Sequence, residues 1–142
     1  MRFAALLVAL AVTPSVPFRQ LAQASPPGET PAKPLVALSR YIDYLRPQDA
    51  SRVRKLPVSR VAVAVFAGAK PTGGYKITVT RVALAAGRLT VTARVAAPDG
   101  PSTQVFTSPY DLVTIARPAR LPTRWTLRDT SGITVATGAF SR

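Results

Sequence analysis

Two kinds of hydrophobic pattern alternate along this chain. Residues 3–12 and 61–66 are continuous apolar runs, whereas residues 75–80 and 88–95 switch strictly between apolar and polar side chains. The run Val61-Ala62-Val63-Ala64-Val65-Phe66 is short and rich in β-branched residues, which predicts a strand covered on both faces. In the first alternating segment Tyr75, Ile77 and Val79 point one way and Lys76, Thr78 and Thr80 the other. In the second, Leu89, Val91, Ala93 and Val95 alternate with Arg88, Thr90, Thr92 and Arg94. A period of two is that of a half-buried strand. The two segments are therefore expected as hairpin neighbours across a loop at 83–87, with one wet face bearing Thr and Arg.

The remaining chain is punctuated by turn chemistry. Upstream, Leu38, Ile42 and Leu45 recur at spacings of four and three beside Tyr41, with Pro47 after them, which predicts a short amphipathic helix over 35–45. Leu35-Val36-Ala37-Leu38 could equally open a strand. Residues 48–60 offer Asp49 or Ser51 as caps for one helical turn or a loop, and their basic cluster of Arg52, Arg54, Lys55 and Arg60 fits a solvated face. Pro98-Asp99-Gly100-Pro101 forms a turn, since proline fixes φ, aspartate bonds its own backbone and glycine tolerates positive φ. A strand is expected around 104–107, broken by Ser108-Pro109, and another over 110–116. Residues 117–122 make a basic loop held open by prolines. Trp125 and Leu127 alternate inward, residues 129–132 turn, and Ile133 and Val135 return as a closing hairpin. About seven short strands with little helix predict an all-β fold, a small antiparallel sandwich or barrel with a short helix near the N-terminus.

Length and composition set the organisation. A chain of 142 residues has room for one domain. Met1-Arg2, the apolar run 3–12 and the small-x-small pattern Ala22-Gln23-Ala24 occur in the order of a signal peptide cleaved near Ala24. The apolar run is too short for a transmembrane helix. The expected division is a leader at 1–24, a flexible Pro-rich linker at 25–34 and a single β domain at 35–142, located outside the cytoplasm, periplasmic or secreted. The full chain carries a net charge of +13; Arg2 and Arg19 leave with the leader, so the remainder carries +11. Most of the cations are arginine, which suits planar recognition of carboxylates or phosphates, although an arginine-rich composition gives the same count. Such a charge attracts anionic surfaces unspecifically.

The chain has no histidine and no cysteine. This removes the commonest general base, the usual zinc ligands and every nucleophile relay built on those residues. The acids are Glu29, Asp43, Asp49, Asp99, Asp111 and Asp129. Glu29 lies in the linker and Asp99 and Asp129 in turns, which leaves no evident carboxylate pair. Ser51 and Lys55 share helical spacing in an exposed basic stretch where nothing would depress the lysine pKa. No enzyme, no metal and no cofactor is expected. Gly68 and Gly73 imitate the opening of a phosphate-binding loop, but Gly74-Tyr75 stands where Lys and Ser/Thr are needed, and the segment leads into a strand rather than a helix.

The stretch Val63-Ala64-Val65-Phe66-Ala67-Gly68-Ala69-Lys70-Pro71-Thr72-Gly73-Gly74-Tyr75-Lys76-Ile77, followed by Thr107-Ser108-Pro109-Tyr110-Asp111-Leu112-Val113, resembles the C-terminal domain of the PrcB family, named after an extracytoplasmic accessory subunit of a bacterial protease complex. The resemblance covers residues 61–116, with PTGGY and TSPY as its most specific blocks. It implies a non-catalytic secreted domain that binds a protein partner, in the founding case a protease. The chain departs from the family upstream, where residues 35–60 lack the tryptophan-bearing helical stretch of its members. A weaker likeness links Pro71-Thr72-Gly73-Gly74-Tyr75 and Arg117-Pro118 to two inhibitory loops of chagasin-like cysteine-protease inhibitors. There Lys70 replaces an Asn, Gly73 a Thr and Ala119 a Trp.

The candidate partner-binding residues are accordingly Pro71, Thr72, Gly73, Gly74, Tyr75, Thr107, Ser108, Pro109 and Tyr110, with Arg117 and Pro118 as a secondary set. A purely structural role stands beside each block: Pro71 and the glycines shape a turn that sends the Tyr75 ring into the core, and Pro109 breaks a strand edge. The two blocks are expected to meet at one end of the fold, where rigid strands present loops for binding. Three readings remain: an accessory domain binding a secreted or envelope protein, a protease inhibitor, and a cationic domain adhering unspecifically to envelope polyanions. No specific nucleic-acid motif is present.

Overall fold

A computed structural model describes residues 14–38 and 42–140. Among them are eight strands, β1 (Phe18–Ala24), β2 (Leu35–Leu38), β3 (Arg60–Phe66), β4 (Lys76–Ala85), β5 (Arg88–Ala96), β6 (Tyr110–Ala116), β7 (Arg124–Arg128) and β8 (Thr134–Ala139). A 3-10 turn (Ile42–Tyr44) and one helix, α1 (Pro47–Arg54), lie between β2 and β3. The strands form two sheets of four, ordered β1-β6-β3-β2 and β4-β5-β7-β8. The fold is an open all-β sandwich rather than a closed barrel. No helix among the described residues is long and apolar enough to cross a membrane.

The two hydrophobic patterns explain the layers. Every β3 residue from Val61 to Phe66 is buried, because its sheet is covered on both faces. Val61, Val63 and Val65 meet Ile77, Leu89, Val91 and Trp125 of the second sheet. Ala62, Ala64 and Phe66 meet Leu45 and Ala50 below the helical layer. The alanines on that face let the helical layer approach closely. The second sheet is covered on one face only, so β4 and β5 alternate and their Thr and Arg side chains face outward. They form the expected hairpin, with a register shift between Val79 and Arg81. Its connection is a two-residue turn in which Ala86 and Gly87 both take positive φ (51° and 75°), the mirror-image turn that matches strand twist.

Several elements differ from the sequence reading. Residues 35–38 form β2, paired with Val63 to Phe66 of β3, rather than a helical turn; a strand edge was available to them, and hydrogen bonding to it outweighs the spacing of Leu38 and Ile42. Tyr41 lies outside the described residues. The helix falls later, with Pro47 at its start instead of ending a helix, since the missing proline N–H costs nothing in the first turn. The segment 104–107 is no strand; only Thr107 pairs, through single bridges to Lys70 and Pro27. The chain crosses to β6 in the other sheet before returning as β7, so β5 and β7 run parallel.

The N-terminal part of the described chain adds a further strand. Residues 1–13, which hold the charged and apolar parts of the expected leader, lie outside the described residues. Residues 18–24, assigned to that leader, are β1. Six positions from Phe18 to Ala24 pair with β6. Gln20 Nε2 donates to Asp111 Oδ1 (2.9 Å), and Gln23 Nε2 to the Ile77 carbonyl (2.8 Å). Just upstream, Val16 N donates to Val82 O (2.7 Å) on β4. The segment therefore closes one side of the sandwich by touching both sheets. The stretch 25–34 is likewise attached: Pro31 is buried and Pro26 O accepts from Ser108 N (3.0 Å). A chain beginning at Ser25 lacks β1 and leaves the β6 edge bare, whereas one beginning at Pro14 keeps it. With each lost hydrogen bond worth on the order of 1 kcal/mol, urea unfolding of the two is expected to separate them by at least about 3 kcal/mol. Equal midpoints would show β1 to be dispensable.

Candidate functional site

The blocks PTGGY and TSPY meet at one end of the sandwich, on the loops that follow β3 and precede β6. Lys70 and Thr107 exchange backbone hydrogen bonds, Lys70 N to Thr107 O (2.8 Å) and Thr107 N to Lys70 O (2.9 Å). Thr107 Oγ1 also donates to Thr72 O (3.0 Å). Ala67 N donates to Pro109 O and Gly73 N to Thr103 O, each at 3.0 Å. On its other side the same loop is held by Gly28 N, which donates to Phe106 O (2.8 Å). Three segments that are far apart in sequence are thus laced together by main-chain bonds, which gives the end a fixed shape.

The glycines are dictated by close approach. A Cβ on Gly73 would collide with Thr103 Oγ1, and one on Gly74, which has φ +86°, would lie 2.7 Å from Pro98 Cβ. Both positions are part of the scaffold and have no side chain to offer a partner. Pro71 and Gly74 are exposed, while Thr72 and Tyr75 are half-buried. Tyr75 stays out of the core, its ring instead carrying Lys70 Nζ 5.7 Å from its centroid, a cation–π geometry. Beside it Gln23, Ser25 and Lys76 help line a cleft of about 280 Å³. Ser25 Oγ is buried at that point without a hydrogen-bond partner among the described residues.

The TSPY block is inside the protein. Thr107, Ser108 and Tyr110 are at most 5% exposed, and Pro109 is buried too. Ser108 Oγ donates to Pro31 O (3.4 Å). Tyr110 extends under the helical layer, where its hydroxyl donates to Asp49 Oδ2 and accepts from Arg46 N (3.0 Å). Arg46 Nε completes the group with a 3.0 Å ion pair to Asp49. Burial, reinforced by the bond to Asp49, pushes the Tyr110 pKa up to about 12, so the phenol remains a donor throughout the ordinary pH range. The next residue, Asp111, points to the opposite face. Its Oδ2 accepts from Val79 N (2.8 Å) on β4, across the interface between sheets. Burial raises its pKa, while the bonds from Val79 N and the Gln20 amide oppose that rise.

The secondary set is elsewhere. Arg117 and Pro118 follow the last residue of β6, whereas Tyr110 is its first; seven residues at about 3.3 Å each separate the ends by roughly 20 Å. Arg117 is committed to the far end, donating from Nε to Val58 O (2.6 Å) and from N to Ser59 O (2.8 Å). The Arg117-Pro118 loop and the PTGGY loop therefore stand at opposite ends of β6.

Side chains that the sequence reading passed over do reach the surface at the PTGGY end. Val105 and Phe106 are 48% and 49% exposed, immediately before buried Thr107. Their signal was an apolar pair in a polar stretch, hidden by the expectation of a strand. Among the described residues no group of three or more acidic side chains could hold a metal ion.

Two substitutions test the joints on either side of β6. Tyr110→Phe leaves Arg46 N–H without its acceptor and removes one of the donors to Asp49, which keeps only Arg46, and is expected to cost about 1–3 kcal/mol in urea unfolding. Asp111 has a folded pKa above its unfolded value, so the stability tied to its protonated form is fully present below about pH 4 and lost as pH rises through the higher native value. Asp111→Asn cannot ionise. The variant is expected to gain on the parent between acid pH and neutrality, and parallel stability profiles would contradict the assignment.

Compared with models of known families, residues 61–116 match the one described as PrcB C-terminal. The match runs from the second residue of β3 to the last of β6 and contains both blocks of the loop end. No curated protein and no solved structure matches the chain.

Proposed function

We propose that the chain is a non-enzymatic accessory domain that binds a protein partner outside the cytoplasm through its loop end, a reading supported by the match of residues 61–116 to the family described as PrcB C-terminal. The observation that carries this reading is the half-exposed pair Val105 and Phe106, immediately before Thr107, which bonds to Lys70 and Thr72 of the PTGGY loop, so that the pair stands on loops fixed by hydrogen bonds. Aromatic and apolar side chains held on a rigid frame lose little entropy on binding and make favourable anchors. The partner class implied by the family is a secreted protease, with the domain stabilising the complex. Thr107, Ser108, Pro109 and Tyr110 hold the loops in place without touching the partner, and Gly73 and Gly74 allow their close approach.

Secretion requires any leader cleavage to spare β1, because removal up to Ala24 would take the strand with it. The cleavage point in this reading lies upstream of Val16.

The test is affinity capture from the native culture medium at moderate salt, comparing the parent with Phe106→Ser and Tyr75→Ser. Both side chains are partly solvated, so the variants are expected to fold with thermal midpoints within a few degrees of the parent. Partner recovery is expected to fall by tenfold or more for Phe106→Ser, a loss of about 1.4 kcal/mol or greater. Undiminished capture by both variants would reject the loop end as the contact. Bound material that disappears entirely with rising salt would favour unspecific polyanion adhesion instead.

A further inference from the structure

A second recess opens beside the loop end, between the sheets, where β5 outruns its neighbour. Residues 88–92 of β5 pair with 124–128 of β7, but β7 stops at Arg128. It stops because Asp129 starts a tight turn: Asp129 Oδ1 accepts from Ser131 N (2.9 Å), Ser131 Oγ (2.7 Å) and Ile133 N (3.0 Å), and Gly132 has φ +89°. The last part of β5, residues 93–96, pairs with β4 on one side and has no strand on the other among the described residues. A cleft of about 340 Å³ is lined by Ala93, Arg94 and Val95 of this part of β5 and by residues 127–131 at the end of β7 and in the turn after it. Ile77, Leu127 and Val135 give it apolar walls, and Lys70, Arg94 and Arg128 bring three cations to it. Asp129 is the one acid lining it, and its Oδ1 is engaged in its own turn. Val95 and Val135 at the rim are 44% and 48% exposed.

An open strand edge offers backbone donors and acceptors to an extended chain, an apolar floor accepts alternate side chains, and the cations select for acidic neighbours. We propose that this cleft binds an extended acidic segment of a protein partner as an added strand on residues 93–96 of β5, with its carboxylates on Lys70, Arg94 and Arg128 and an apolar side chain against Ile77 and Leu127. A second copy of this chain is disfavoured as occupant, because each copy carries +13. The inference rests on the partner-binding reading only in taking the ligand to be a protein segment.

The probe is a fluorescent, end-capped hexapeptide of alternating glutamate and valine, titrated against the full chain and followed by polarisation. Saturable binding is expected, with none for the lysine–valine counterpart. Arg94→Glu combined with Arg128→Glu is expected to weaken it about tenfold or more. The same reversal at Arg117 and Arg120, at the far end, is expected to change it less than about threefold, since exposed charges at that distance are screened. N-methylation of alternate peptide bonds, which removes strand hydrogen bonds without altering charge, is expected to abolish binding. Lack of saturable binding, equal loss from the two charge reversals, or full binding by the N-methylated peptide would each overturn the proposal. Phe106→Ser should leave this binding intact, so failure of the loop-end contact and failure of the cleft are distinguished.

Discussion

Tyr110 and Asp111 are neighbours in sequence and, on a strand, point to opposite faces of their sheet. This one alternation holds the three layers together. Tyr110 reaches through one face to Asp49 and Arg46 and pins the helical layer. Asp111 reaches through the other to Val79 N on the second sheet and to Gln20 on the edge strand. Both groups are buried, so each must find partners or cost the full desolvation penalty. The arrangement is consequently specific: a register shift of one residue in β6 would send a carboxylate under the helix and a phenol between the sheets. Around these bonds the apolar contacts of Val63, Val65, Val113 and Trp125 supply the bulk of the stabilisation, but they are far less selective about register.

The parts of the fold visible in the sequence are those governed by a face pattern. The continuous run at 61–66 and the alternation at 75–80 and 88–95 translate directly into a strand between two layers and a hairpin with a wet face. Where the pattern was ambiguous, tertiary context decided. Leu35 to Leu38 fits helix or strand by its own residues, and an available edge on β3 made it a strand. Pro47 ends some helices and begins others, and nothing local distinguishes the two. The strand over 18–24 was concealed differently: its apolar positions and small residues are also the features of a leader's end, and its partner strand lies far along the chain.

The candidate site was half legible for a related reason. Composition marks a turn at PTGGY and a break at TSPY, and both lie at the same end, yet residue type does not say which block faces water. Thr107 and Ser108 are polar and nevertheless buried, because their hydroxyls donate to Thr72 and Pro31 and their amides to Lys70 and Pro26. Phe106 is apolar and half-exposed. Distance was also hidden: Arg117 follows TSPY closely in sequence, but an intervening strand carries it to the opposite end. Residues 93–96 show the same limit, since the alternation runs on through Val95 while their missing neighbour is decided by a turn more than thirty residues away.

The position of β1 has a consequence for how the chain can fold as it is made. Phe18 to Ala24 leave the ribosome well before β6, since the bond from Gln20 to Asp111 spans 91 residues. Contacts so distant in sequence close late, because the loop entropy must be met first. Until β6 has emerged, the amphipathic first strand has no sheet to join and β3 lacks its central neighbour. Everything from β1 to the end of β6 must therefore be present before the first sheet can assemble, which favours late assembly over stepwise growth from β1.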